Sequence, residues 1–116
     1  MKQYCFCNVI SIQHSADNLK EHAHYHSLEI TTYIRVNQTS FEKFDDIEEC
    51  GEAFVAHYQN RYLNDCEEFG GDTRIEHVGD VLFEILFEKW KEQGAFLERF
   101  EIGETPLRKY IITHTI

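Results

Sequence analysis

From Tyr4 to His14 the even positions read Tyr, Phe, Asn, Ile, Ile and His, and the odd ones Cys, Cys, Val, Ser and Gln. A period near two predicts a strand. Residues 15–21 (SADNLKE) are polar and lead into a second alternating run, in which His22, His24, His26, Leu28, Ile30, Thr32, Ile34 and Val36 share one face. The opposite face carries Tyr25, Ser27, Glu29, Thr31, Tyr33 and Arg35. The two runs predict a long antiparallel hairpin with one buried side.

The spacing then changes. Thr39 and Glu42 have the separation of a capping box, and Phe44, Ile47, Phe54 and Tyr58 recur at helical intervals, predicting a first helix to about Tyr62 with Gly51 as a mild weakness. After Gly70-Gly71, Thr73 and Glu76 repeat the capping-box spacing. The apolar stripe Ile75, Val78, Leu82, Ile85, Leu86 and Trp90 predicts a second helix that ends at Gly94. A third strand follows with Phe96, Phe100 and Ile102 on one face, and Gly103-Glu104-Thr105-Pro106 turns the chain into a fourth, from Leu107 to about Thr115. The order β-β-α-α-β-β predicts an α+β fold in which two helices cover one side of an antiparallel sheet whose edges invite pairing with a neighbouring subunit.

Composition narrows the class. A chain of 116 residues with 42% hydrophobic content fits one domain, expected to span residues 1–116. Residues 1–14 lack a charged head followed by an unbroken apolar stretch, and no window approaches the roughly 18 apolar residues of a membrane span. The expectation is a cytoplasmic protein that does not engage membranes. Twenty-one acidic residues against eleven Lys and Arg give a net charge of −10, whose field repels nucleic acid, and the visible cations (Lys20, Arg61, Arg74, Lys109) are scattered. Cys5, Cys7, Cys50 and Cys66 form no Cys-x-x-Cys pair and read as reduced, structural thiols.

The candidate chemistry lies in the histidines. Pairing the first two strands across a seven-residue loop sets His14 opposite His22, with His24 next on the same face. Opposed Cβ atoms in an antiparallel pair stand about 5 Å apart and diagonal neighbours about 7–8 Å, which lets three imidazoles converge on one zinc ion. A His-x-His on a strand is by itself ordinary polar alternation. A third imidazole on the same, increasingly apolar face would be costly to bury without a shared ligand or hydrogen bonds, and this favours metal. His26 continues the face as a fourth candidate, although an open position for water or substrate is the preferred reading. His57, His77 and His114 have no comparable partners in sequence. Glu104, alone at the end of an apolar strand face, is either a solvated carboxylate or an acceptor for a paired N–H and NH2 edge such as pterins and guanine present.

Taken in order, these residues resemble the 6-pyruvoyl- and 6-carboxy-tetrahydropterin synthase family. The likeness rests on a lone His14 after an aromatic-rich strand, His22-Ala23-His24, Tyr62-Leu63-Asn64-Asp65, Thr73 with Glu76, and Glu104-Thr105. The resemblance implies the tunnelling fold, assembled as a β-barrel homo-hexamer of two trimers, with zinc on His14, His22 and His24 and a pterin anchored by Glu104. It also implies a lyase acting on a dihydropterin side chain.

The departures concern proton transfer. The family's catalytic cysteine matches Asn18, and its Asp-His pair reads Gln59-Asn60. The glycine between its zinc histidines is Ala23. Glu21, the nearest carboxylate, alternates onto the opposite face from the histidines. Sequence therefore supports a zinc-dependent pterin-binding protein with possible lyase activity, and, as the alternative, a catalytically inactive metal- and ligand-binding oligomer.

Overall fold

Alternation with one apolar side makes four strands, β1 (Gln3–His14), β2 (His24–Val36), β3 (Ala95–Thr105) and β4 (Arg108–Thr113), which pair antiparallel in the order β1-β2-β3-β4. The computed structural model describes residues 2–37 and 41–114. Helices α1 (Phe41–Ala56) and α2 (Ile75–Lys91) pack against the sheet, and one core joins them: Ile10, Ile12, Leu28, Ile30 and Ile34 from the hairpin meet Ile47, Phe54, Val78, Leu82, Leu86 and Trp90. This is the α+β arrangement expected from the element order, and it fits the tunnelling fold that the resemblance implies. Among the described residues no helix is long and apolar enough to cross a membrane.

The apolar stripe of α2 is buried as its spacing requires. Trp90 is 1% exposed and donates its indole N–H to the Ile47 carbonyl at 3.1 Å, which ties α2 to α1. Gly51 follows from the same contact, because a Cβ there would stand 3.0 Å from the Trp90 ring. What reads in sequence as a weakness in α1 is a close approach.

Several expectations shift. Helix α1 ends at Ala56, not near Tyr62, and the chain continues through turns in which Asn60 takes a positive φ of 61°. The Thr39–Glu42 capping box lies outside the described residues, as does the expected end of the last strand at Thr115. At α2 the position before the first helical residue is Arg74, with no side-chain cap, and Thr73 spends its hydroxyl on the Ser15 carbonyl and Asn64 Oδ1, each at 3.4 Å. The fourth strand starts at Arg108, with Leu107 in the turn and 96% exposed.

A β-bulge corrects the third strand. Tyr33 pairs with Arg99 but Ile34 pairs with Leu97, leaving Glu98 as an extra residue. One inserted residue reverses the parity of everything before it. Ala95 and Leu97 therefore share the core face with Phe100 and Ile102, while Phe96 turns to the other side, where Arg35 stacks 5.2 Å from its ring centre.

Candidate metal centre and ligand cavity

The hairpin register sets the site. His14 pairs directly with His24, and Ile12 with His26. Residues 20–22 coil into a single 3-10 turn before β2 begins at His24, so the connection is longer by two residues than simple alternation suggests. A slip of two keeps every side chain on its face but changes which histidine stands opposite which.

The structure therefore brings together His14, His24 and His26. Their ring centres lie 4.7 to 5.0 Å apart, and one ligand atom from each falls within 4.8 Å of the others. His22, read from spacing as a member of the set, is exposed and hydrogen-bonded through Nδ1 to Asp17. His24 is common to both sets, and so is His14.

Each imidazole in the cluster has its Nδ1 turned to an acceptor. His14 Nδ1–H donates to the Thr73 carbonyl at 3.0 Å, and His26 Nδ1 stands 2.8 Å from Glu104 Oε2. His24 Nδ1 faces the His22 carbonyl at 3.4 Å, a long contact. A carbonyl only accepts, so the proton sits on Nδ1 of His14 and the Nε2 lone pair is left over. That Nε2 is buried and has no partner. Burial pushes the His14 imidazole below its ordinary value, with His24 and His26 adding to the effect against the opposing Thr73 bond. A neutral, correctly oriented ring with an orphaned lone pair is what a cation requires, and a backbone or carboxylate acceptor behind a ligand histidine is the usual way its ring is held. Tetrahedral Zn–N bonds of about 2.0–2.1 Å place nitrogens about 3.4 Å apart, so modest ring rotation closes the set.

The Tyr62-Leu63-Asn64 stretch positions His14. Asn64 accepts the Ser15 N–H at 3.0 Å and donates to the Ser15 carbonyl at 2.9 Å, Tyr62 hydroxyl meets Ser15 Oγ at 2.6 Å, and Gln13 bridges Tyr62 as a short parallel pair. These contacts pin the end of β1 against the segment that carries Thr73. Asn64 also donates to Asn18 Oδ1 at 2.6 Å, and Gln59 Oε1 accepts the Ser11 N–H at 3.2 Å, so both amides are engaged with the scaffold.

Beside the cluster lies a cavity of about 440 Å³, lined by His14, Glu104, Ile75, Ile102, Tyr110 and three cations, Arg74, Arg108 and Lys109. Sequence shows Arg74 and Lys109 as scattered cations; the β3–β4 hairpin and the start of α2 gather them with Arg108. Gly103 shapes the wall, because a Cβ there would meet the Arg108 carbonyl oxygen at 2.4 Å, and the irregular register between Ile102 and Thr105 carries Glu104 to His26. Glu21 is exposed in the 3-10 turn. His77 bonds the Phe69 carbonyl at 3.1 Å, His57 packs on Tyr58 and His114 packs on Phe87 and Phe96.

The cysteines divide. All four are free; Cys66 is buried and Cys50 half-buried, but Cys5 and Cys7 are exposed, because the even positions of β1 take the core.

The family model of 6-pyruvoyl tetrahydropterin synthase matches residues 2–115. Sequence comparison with curated proteins finds no match. Among solved structures, 6-pyruvoyl tetrahydropterin synthase from Caenorhabditis elegans superposes with a TM-score of 0.74 at 15% identity, covering 98% of this chain and 96% of that one. An uncharacterized protein from Wolinella succinogenes superposes at 0.66 and 10% identity, covering 98% of each. The Plasmodium falciparum 6-pyruvoyl tetrahydropterin synthase superposes at 0.63 and 11% identity, covering 99% and 98%. Identities this low establish a shared fold.

Proposed function

Because the chain belongs to the 6-pyruvoyl tetrahydropterin synthase family, we propose that it holds zinc on a histidine cluster and binds a pterin or related nitrogen heterocycle beside it, as a lyase-type protein acting on a dihydropterin side chain. One observation carries this reading: the buried, partnerless Nε2 of His14 lies in a cluster with two further imidazoles at the edge of a cavity. His14, His24 and His26 hold the ion; the set His14, His22 and His24 is the variant that sequence spacing favours. Zinc in this place supplies Lewis acidity toward a hydroxyl or carbonyl oxygen of the ligand.

The chain's own groups do the rest. Glu104 stands beside His26 and offers its carboxylate oxygens to the N–H and NH2 edge of a ring. Arg74 and Lys109 are ion-paired with Asp72 and Glu101, and Arg108 beside them suits an anionic substituent. The outer edges of β1 and β4 carry no further strand among the described residues, which supports closure into a homo-oligomeric barrel, a hexamer of two trimers by family resemblance.

A second reading, a metal- and ligand-binding oligomer without turnover, is favoured by Asn18 and Gln59, whose amides are tied into the scaffold and do not titrate near neutrality. Calorimetry with a dihydropterin, in zinc-loaded and zinc-stripped protein, tests the binding reading. Zinc-dependent binding is expected, and no binding in either form would overturn it. Incubation with dihydroneopterin triphosphate followed by product analysis then separates the two readings.

A further inference from the structure

The sheet face turned away from the helices carries two thiols that the histidine cluster does not use. Cys5 and Cys7 are exposed, reduced and separated by one residue of β1, so they project from the same face with Cα atoms about 6.6 Å apart at about 3.3 Å per residue. Their cross-strand partners are Tyr33 and Thr31, and the Thr31 hydroxyl donates to Cys7 Sγ at 3.8 Å.

Two chemistries suit neighbouring thiols, and geometry separates them. A disulfide usually has Cα atoms about 4.4–6.8 Å apart, so an extended strand meets that range only at its upper end, away from the favoured 5.5–6 Å. Two thiolates on opposite sides of one ion need sulfurs only about 4.6 Å apart, from metal–sulfur bonds of about 2.3 Å, a span that side chains leaning together cover without moving the backbone. Among the described residues, no third His, Cys, Asp or Glu joins this pair in a group able to hold a metal. Tetrahedral zinc is poorly served by two ligands, whereas soft ions of the Cu(I) type favour thiolate donors.

We propose that Cys5 and Cys7 form a two-coordinate thiolate site for a soft monovalent cation of the Cu(I) type, independent of the histidine cluster. Binding is a ligand exchange with no redox step: each thiol gives its proton to solvent, the ion keeps its oxidation state, and two metal–sulfur bonds form. Burial and the neighbouring Cys7 push the Cys5 thiol up, so it rests protonated and is not an activated nucleophile.

The test is an anaerobic titration of zinc-loaded protein with Cu(I) delivered as its bicinchoninate complex, following thiolate-to-copper absorption in the ultraviolet and zinc release together. The intact protein and the Cys50→Ser/Cys66→Ser double variant should each take up one Cu(I) per chain without losing zinc. Cys5→Ser and Cys7→Ser should each lower the affinity more than about a hundredfold, with zinc content and circular dichroism unchanged. Cys7→Ala, which also removes the acceptor for Thr31, should behave as Cys7→Ser. Equal copper uptake in the Cys5 and Cys7 variants, copper uptake only at the expense of zinc, or none by the intact protein would each overturn the proposal.

Discussion

Replacing His26 and His22 one at a time decides which three imidazoles hold the ion. In the structure His26 sits in the cluster with Nδ1 braced by Glu104, while His22 leans out on Asp17. Four-ligand zinc sites in small peptides are worth about 10–16 kcal/mol, or about 2.5–4 kcal/mol per ligand. His26→Ala should therefore weaken zinc binding by about two to three orders of magnitude. His22→Ala removes only a solvent-facing contact and should leave zinc affinity unchanged within error, because exposed ion pairs contribute little. Competition against a chromophoric chelator at fixed pH reads both constants. A large loss in His22→Ala together with a small one in His26→Ala would refute the geometric set and restore the one that spacing favours.

Glu104→Gln should weaken pterin binding about tenfold or more through the lost double acceptor, and should also lower zinc affinity, by about 10- to 100-fold at most, through its close contact with His26; calorimetry and chelator competition measure the two separately. Gly103→Ala forces a Cβ toward the Arg108 carbonyl at 2.4 Å, so it should destabilise the β3–β4 hairpin by about 1–3 kcal/mol in urea unfolding and reduce ligand affinity in whatever protein folds. Light scattering at micromolar concentration should show an oligomer, and a monodisperse monomer would contradict pairing at the β1 and β4 edges. The Glu101 carboxyl is held below its usual value, first by the Arg99 N–H bond at 2.7 Å and then by Lys109, against the opposing effect of burial. A carboxyl depressed by folding adds stability that is present above the ordinary glutamate value of about 4.3 and is lost as pH falls through its folded value. Glu101→Gln should therefore cost about 1 kcal/mol at pH 7, discounted for the partly exposed Arg99, and much less near pH 3 by chemical denaturation.

Much of the architecture was legible along the chain. Period-two alternation located β1 and β2 and assigned their faces, the stripe from Ile75 to Trp90 marked α2, and the order of elements implied the sheet. These properties are local, since burial of one face imposes its period on the residues themselves. The histidine register is not local: alternation is unchanged by a slip of two, so sequence could put His24 and His26 on one face but not decide which histidine opposes His14. The 3-10 turn at residues 20–22 made that choice. The bulge at Glu98, which turned Phe96 away from the core, left no mark in composition. Nor did the brace on His14, because its acceptor is the Thr73 main-chain carbonyl, which every residue possesses. Arg74 is far in sequence from the adjacent Arg108 and Lys109, and only the packing of α2 against the last hairpin brings them to one cavity.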